Sequence, residues 1–279
     1  MRCYVRADAA MGRAIHRLAD ALEKYAPPEV EIVTDVKKAD LQICHIIGVN
    51  CLRGRKVDDH VLFMHCYLTA GHMDWPSEWR KARKVFSCYD LPALSGTQMS
   101  NFVQTPLGYD PSVFRPEPRL PKRYLCLMTG YVAWSEYLDM VYQACRLVGG
   151  DVIHVGAHFG WGSCYRHREN VSDQEMRDLY AQSRFVAAMR ITEGFELVGL
   201  EGLACGTPAI YLDMSCYRRW FDGVPGVVWV KPQAEADVIT QLVRVFRHGF
   251  DGEVRPPNFT WESIAKNMWS EILSANTDS

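Results

Sequence analysis

TEGFELVGLEGLACGTP, residues 192–208, sets Glu193 and Glu201 eight positions apart in a run that is otherwise glycine and aliphatic. A helix core has no use for the first carboxylate, and a solvated face would carry fewer apolar side chains. The preceding run, 184–189, reads as a buried strand. A helix over 197–205 follows, stopped by Gly206 at its C-cap and by Pro208 just beyond. Glu193 therefore falls on the loop at the strand's C-terminal end, and Glu201 about one turn inside the helix. Between them lies a helix N-terminus whose first amides, from residues 195–198, have no intrahelical acceptor. Gly194 lets a ligand approach that backbone closely. A carboxylate on either side of a phosphate site suits a sugar nucleotide: the amides take the diphosphate, one carboxylate accepts from sugar hydroxyls and the other from the ribose. By residue chemistry alone, a capped, half-buried helix with one incidental loop acid fits equally well.

Working outward, strand and helix alternate on both sides of this stretch. Strands are expected at 2–6, 31–34, 41–47, 61–65, 84–88 and 102–106, with helices at 12–24 and 79–84. DPSVFRPEPRLPKR, 110–123, holds four prolines and little periodicity, the signature of a linker. The alternation then restarts, with strands at 123–128, 151–155, 184–189, 208–212 and 227–230. Helices are expected at 134–148, 172–182, 197–205, 235–246 and 261–273. The expected fold class is α/β, with two Rossmann-like domains facing a cleft. The expected boundaries are 1–110, a linker at 111–122, 123–258, and a terminal helix in 259–279 that returns to the first domain. Ligands of such sheets sit at the C-terminal ends of the strands.

Composition narrows the class. A net charge of −2 excludes a chain that grips nucleic acid or anionic membrane through overall charge. No apolar run reaches the length of a membrane-spanning helix, and the N-terminal segment lacks the apolar core of a secretory leader. Ten cysteines are scattered with no C-x-x-C and no zinc spacing, which reads as reduced core thiols of a cytoplasmic protein. For a viral chain, that is the host cytoplasm.

ITEGFELVGLEGLACGTPAIYLD, 191–213, resembles the E-x7-E signature of retaining GT-B glycosyltransferases (glycosyltransferase family 4-like), roughly EGFG-x-x-x-x-EAMACGTPV. VIHVGAHFG, 152–160, resembles that family's strand and loop beside the nucleotide. VSDQEMRDLYAQSRFVAAMR, 171–190, resembles its next helix and strand, and TPLGYDPSVFRPEP, 105–118, its hinge. WESIAKNMWSEIL resembles its terminal helix, so the likeness covers about 105–275.

The resemblance implies transfer of a sugar from a nucleotide donor, a UDP-sugar such as UDP-glucose being favoured, with retention at the anomeric carbon and with no metal or further cofactor. Glu193 would hold sugar hydroxyls and Glu201 the ribose. Gly130, Gly156, Gly194, Phe195, Glu196, Leu197 and Val198 would line the nucleotide. His65, at the end of a strand in VLFMHCY, would contact the sugar near the reacting centre; read from its surroundings alone it is a satisfied core histidine. Gly12 loosely matches a glycine that opens the first helix.

The pattern breaks in two places. The family carries G-R-x-x-x-x-K-G after the first strand of its second domain, and those cations neutralise the departing diphosphate. Here that loop reads MTGYVAWSEY: Gly130 remains and no cation does. Arg190 is the nearest substitute. Glu196 stands where the family has glycine, a charge that favours the helix dipole but opposes a phosphate.

Small chains of this kind with an EGFE motif resemble phage-type enzymes that glycosylate 5-hydroxymethylcytosine or related hydroxymethylpyrimidines in DNA. Basic residues Arg2, Arg6, Arg13, Arg17, Arg53, Arg55, Lys56, Arg80, Lys81, Arg83, Lys84, Arg115, Arg119, Lys122 and Arg123 interleave with Tyr4, Tyr67, Trp75, Trp79 and Tyr89. That texture suits a phosphodiester acceptor. Ordinary solvated helix faces explain it as well, because residues 1–113 balance 14 Lys and Arg against 13 Asp and Glu. Glycan, lipid and protein acceptors stay open, as do a sugar-nucleotide epimerase and a non-catalytic sugar-nucleotide-binding module.

Overall fold

The structure, a computed structural model, describes residues 1–7, 11–47, 56–66, 75–117, 120–191 and 193–275. Two compact units divide the chain: residues 1–108 with 259–279, and residues 109–258. Arg53, Arg55, Tyr67, Arg119 and Thr192 lie outside the described residues.

Unit 1 contains β1 (Arg2–Tyr4), α1 (Arg13–Lys24), β2 (Glu31–Ile32), β3 (Leu41–Ile46) and β4 (His60–Met64). It continues with α2 (Trp75–Lys81), β5 (Lys84–Ser87), α3 (Leu91–Ser95) and β6 (Phe102–Gln104), and closes with α9 (Trp261–Ser274). The strands form one sheet in the order β2-β1-β3-β4-β5-β6, every pair parallel. LQICHI and HVLFM are buried at every position, as central strands covered on both faces must be. The terminal helix packs on α1, and Trp269 Nε1 donates to the Leu22 carbonyl at 3.0 Å. Where the chain leaves this unit, a Cβ on Gly108 would lie 2.6 Å from the Trp261 nitrogen. Only glycine lets the outgoing and returning strands of chain pass so closely.

Unit 2 contains β7 (Tyr124–Gly130), α4 (Leu138–Leu147), β8 (Val152–Gly156), β9 (Tyr165–Arg168), α5 (Asp173–Gln182) and β10 (Ser183–Ala188). It continues with α6 (Leu197–Ala204), β11 (Ala209–Leu212), α7 (Ser215–Phe221), β12 (Val227–Val230) and α8 (Glu235–His248). Its sheet runs β12-β11-β10-β7-β8-β9, again all parallel. Strand order reverses between β7 and β10, so this unit's topological switch point lies there. The loops leaving the C-terminal ends of those two strands flank the crevice in which such sheets bind ligands. α5 starts with a full capping box, Ser172 with Glu175. α6 ends in a Schellman motif: Thr207 N–H bonds the Gly202 carbonyl at 2.9 Å and Gly206 N–H the Leu203 carbonyl at 3.0 Å, with Gly206 at φ 76°.

Several expected boundaries move. The helix expected over 134–148 begins only at Leu138, because Tyr137 sits in the left-handed region at φ 53° and cannot continue a helix. The helix expected over 79–84 is the end of α2, which starts at Trp75; Lys84 already belongs to β5. The proline-rich stretch is no free linker. Phe114 is 2% exposed and meets Tyr180 edge-on at 6.1 Å, so this segment belongs to unit 2. Helices α3 and α7 and strand β9 were not expected. The first two are short, and YRHR has no apolar alternation to announce it. All the described cysteines are free thiols, and no described helix is long and apolar enough to cross a membrane.

Candidate functional site

The loop from β10 to α6 is pinned from below by aromatic side chains. Tyr217 Oη donates to the Arg190 carbonyl at 2.6 Å and Trp220 Nε1 to the Gly194 carbonyl at 3.1 Å. Tyr211 Oη reaches the Glu196 carbonyl at 3.4 Å. Phe195 is 5% exposed and packs on Phe221 at 5.2 Å, so its side chain is core. Glycines let α6 lie flat on the sheet. A Cβ on Gly199 would meet Tyr211 Oη at 2.1 Å, and one on Gly202 would meet Val186 Cγ2 at 2.8 Å. Glu196 is the N-cap residue of α6 but makes no side-chain cap, so its side chain leaves the first-turn amides, those of Leu197 and Val198 among them, uncapped.

Around this loop the charges converge on Arg190. Its Nε lies 2.9 Å from Glu136 Oε1 and 3.4 Å from Glu196 Oε1, and its Nη1 donates to Glu193 Oε1 at 3.3 Å. Glu136 comes from the other switch-point loop, after β7. Its Oε2 accepts from the amides of Tyr131 and Val132 at 2.7 and 2.8 Å. Gly130, at φ 152°, makes room for this: a Cβ there would sit 2.0 Å from that same oxygen. Gly156 serves the paired strand end, where a Cβ would fall 2.0 Å from the Gly130 carbonyl oxygen. His154 Nε2 donates to that carbonyl at 3.1 Å, and its Nδ1 is 2.9 Å from Tyr165 Oη.

Glu196 is 3% exposed, and its Oε1 has no hydrogen-bond partner. Burial pushes its carboxyl up to about 8, outweighing the pull of Arg190. At neutral pH it is mostly protonated, and Arg190 then faces the two carboxylates of Glu136 and Glu193. Glu196, once it ionises above about pH 8, and then Glu136 and Glu193 hold the guanidinium above its ordinary value against the cost of burial.

Glu201 is also buried, 4% exposed, and its Oε2 accepts from Tyr180 Oη at 2.9 Å. Gly130, Arg190, Glu193 and Glu196 are thus gathered at one point with Glu136, while Glu201 sits one turn into α6 in the company of Tyr180.

His65 belongs to unit 1, just past β4. Its Nε2 is 3.0 Å from His45 Nδ1, and His45 Nε2 is 3.1 Å from the Val5 carbonyl. A carbonyl only accepts, so His45 Nε2 carries the proton. Burial keeps His45 neutral, lowering it to about 4, so its Nδ1 is an acceptor. His65 must then donate from Nε2, which leaves its Nδ1 as a lone pair. Burial also lowers His65 well below its ordinary value.

Four of the described basic residues of unit 1 are engaged with acids. Arg2 pairs with Asp40 at 2.7 Å, Lys81 with Glu78 at 2.6 Å, Arg83 with Asp59, and Lys84 with Glu271 at 3.0 Å. Among the site's residues, Glu136, His45, Tyr180, Tyr211, Tyr217 and Trp220 were not picked out in the sequence. A signal for Glu136 existed: it stands six positions after Gly130, where the glycosyltransferase pattern has lysine.

Residues 144–248 match the family described as Glycosyl transferases group 1. A protein of Sulfolobus islandicus filamentous virus (isolate Iceland/Hveragerdi), provisionally named glycosyltransferase 41, is 38% identical over 55 residues. That stretch is 20% of this chain and 17% of the viral protein's length. Among solved structures, Anabaena Alr3699/HepE, in complex with UDP and glucose, superposes with a TM-score of 0.65 at 13% identity, over 99% of this chain and 96% of that one. AviGT4, a glycosyltransferase involved in avilamycin A biosynthesis, gives 0.64 at 14% identity, over 100% and 98%. The pneumococcal O-GlcNAc transferase GtfA, in complex with UDP and GlcNAc, gives 0.62 at 11% identity, over 96% and 61%. The two parallel six-stranded α/β units are the GT-B fold.

Proposed function

We propose that the chain is a retaining glycosyltransferase, moving a sugar from a nucleotide-sugar donor, a UDP-sugar first, to a hydroxyl acceptor. The observation that carries this reading is the switch point of unit 2. There the E-x7-E loop, a helix N-terminus that its N-cap residue Glu196 does not cap and the Arg190 guanidinium come together where an α/β sheet binds ligands. The match to Glycosyl transferases group 1 over 144–248 supports it, as do fold neighbours whose structures hold UDP with glucose or GlcNAc.

In this mechanism the amides of 195–198 and Arg190 hold the diphosphate, Glu201 takes the ribose and Glu193 the sugar hydroxyls. Gly194 admits the ligand to the backbone, and Gly130 and Gly156 shape the nucleotide side. His65 Nδ1 accepts from a sugar hydroxyl. The bond from the anomeric carbon to the phosphate oxygen breaks through an oxocarbenium-like state. The acceptor oxygen attacks the same face, and its proton passes to the leaving phosphate. Arg190 neutralises the charge that develops there. No metal or further cofactor takes part.

For the acceptor, a 5-hydroxymethylpyrimidine base in DNA is the first proposal, with a viral relative in its support. The ion pairs of unit 1 weigh against a strong phosphodiester grip by those residues and keep glycan, lipid and protein hydroxyls in contention. One observation favours a non-catalytic sugar-nucleotide-binding module instead: a carboxylate, Glu136, stands where a cation is expected. The test is nucleotide release from UDP- and GDP-sugars, with and without hydroxymethylated DNA. Arg190→Ala is expected to slow turnover about 10²–10³-fold. Binding without release from any donor, with or without acceptor, would favour the module.

A further inference from the structure

We infer that Glu136 is a built-in occupant of an oxyanion site, formed by the amides of Tyr131 and Val132 and the guanidinium of Arg190, which a diphosphate displaces. The inference deepens the proposed donor site and rests on it for the ligand's identity.

The Glu136 carboxylate is gripped as a phosphate would be. Two backbone N–H groups meet one oxygen at 2.7 and 2.8 Å, and a guanidinium nitrogen meets the other at 2.9 Å. Adjacent amides with an arginine are an oxyanion receptor whether the anion arrives from solvent or from the chain itself. The side chain is only 10% exposed, and Gly130 leaves its Oε2 a space that a Cβ would fill. The receptor lies on the loop after β7, at the switch point, where this sheet class binds its ligand.

A second, separate feature shows that the guanidinium is shared among several acids rather than committed to Glu136. The buried Oε1 of Glu196 is turned toward the same guanidinium at 3.4 Å and has no hydrogen-bond partner. Charge decides between displacement and joint occupancy. Arg190 already faces Glu136 and Glu193, so a diphosphate binding beside Glu136 would add at least two negative charges where Arg190 is the one cation placed among the described residues. Binding in its place exchanges one anion for another. The position where the family pattern has a phosphate-neutralising lysine thus holds an internal competitor, and the cation is supplied across the switch point by Arg190.

The experiment is calorimetric titration of the full chain with inorganic pyrophosphate and, separately, with UDP. Glu136→Ala is expected to bind both about tenfold more tightly than the wild type. Glu136→Gln should fall between, because its amide oxygen still accepts from the two N–H groups but no longer attracts Arg190. Thermal melts identify any variant that folds poorly. A third measurement needs no variant: the backbone amide resonances of Tyr131 and Val132 in the wild type should move on titration with pyrophosphate. Equal or weaker pyrophosphate binding by folded Glu136 variants, or unmoved Tyr131 and Val132 amides in wild type saturated with pyrophosphate, overturns the inference. Tighter pyrophosphate binding by Glu136→Ala with no turnover of any nucleotide sugar would uphold the anion site while the glycosyltransferase reading fails.

Discussion

Between pH 4.5 and about 8 the buried carboxyl of Glu196 keeps a proton that the unfolded chain gives up. The folded state binds more protons in that window, so stability contributed by this group falls as pH rises through it and levels off above about 8. Glu196→Gln removes the titration and keeps the shape. The variant should gain stability on the wild type between pH 5 and pH 8, by at most about 5 kcal/mol, in urea unfolding at the two pH values. A gain that instead grows toward low pH would show Glu196 ionised and held by Arg190. At His65, the bond chain through His45 to Val5 fixes one tautomer. Nitrogen-detected NMR should find the proton on His65 Nε2, and His45→Phe should mix the tautomers and lower turnover about tenfold, the scale of one lost orienting hydrogen bond. His45→Gln, able to accept from His65 and donate to Val5, should restore much of both. A proton on Nδ1 in the wild type would contradict the orientation.

At the scale of elements, much of the E-x7-E stretch is packing. Gly199 and Gly202 seat α6 on Tyr211 and Val186, and Gly206 closes its C-terminus. Gly199→Ala should cost about 1–3 kcal/mol, because Tyr211 Oη must leave its place beneath the Glu196 carbonyl; chemical denaturation checks it. Gly108→Ala should cost a similar amount, since what it meets is the backbone of Trp261 rather than a movable side-chain tip. These elements were legible because their punctuation is local. Gly206 and Pro208 stop α6, Ser172 and Glu175 start α5, and mainly apolar runs mark β3, β4 and β10. What could not be read depends on distant partners. Tyr137 looks like part of a helix until the loop ahead of it folds around Glu136. Phe114 sits in a proline-rich run, yet finds Tyr180. The two glutamates of the motif were legible as a pair. The guanidinium's tie to Glu136 was not, because it joins loops brought together only by the order β10-β7.

For the whole molecule, two compact units with separate cores set the expectation. The family match lies inside unit 2, and α9 completes unit 1 by packing on α1. Trp269→Ala removes a buried indole and its bond to Leu22, and should destabilise unit 1 by about 3–5 kcal/mol while leaving the unfolding of unit 2 in place. Calorimetry then reads two transitions, with only that of unit 1 shifted. The acceptor was the least legible property of the chain, because no motif encodes it and four of the basic residues that hinted at DNA, Arg2, Lys81, Arg83 and Lys84, pair with acids. The donor chemistry is where the account stands or falls. The most direct measurement is incubation of the wild-type chain with UDP-glucose and hydroxymethylated DNA, then with glycan, lipid and protein acceptors, following UDP release and the anomeric configuration of the product by proton NMR. Retention of the donor's α configuration, with transfer lost in Glu193→Ala, is the expected result. An inverted linkage, or no transfer from any nucleotide sugar to any acceptor, would contradict the account.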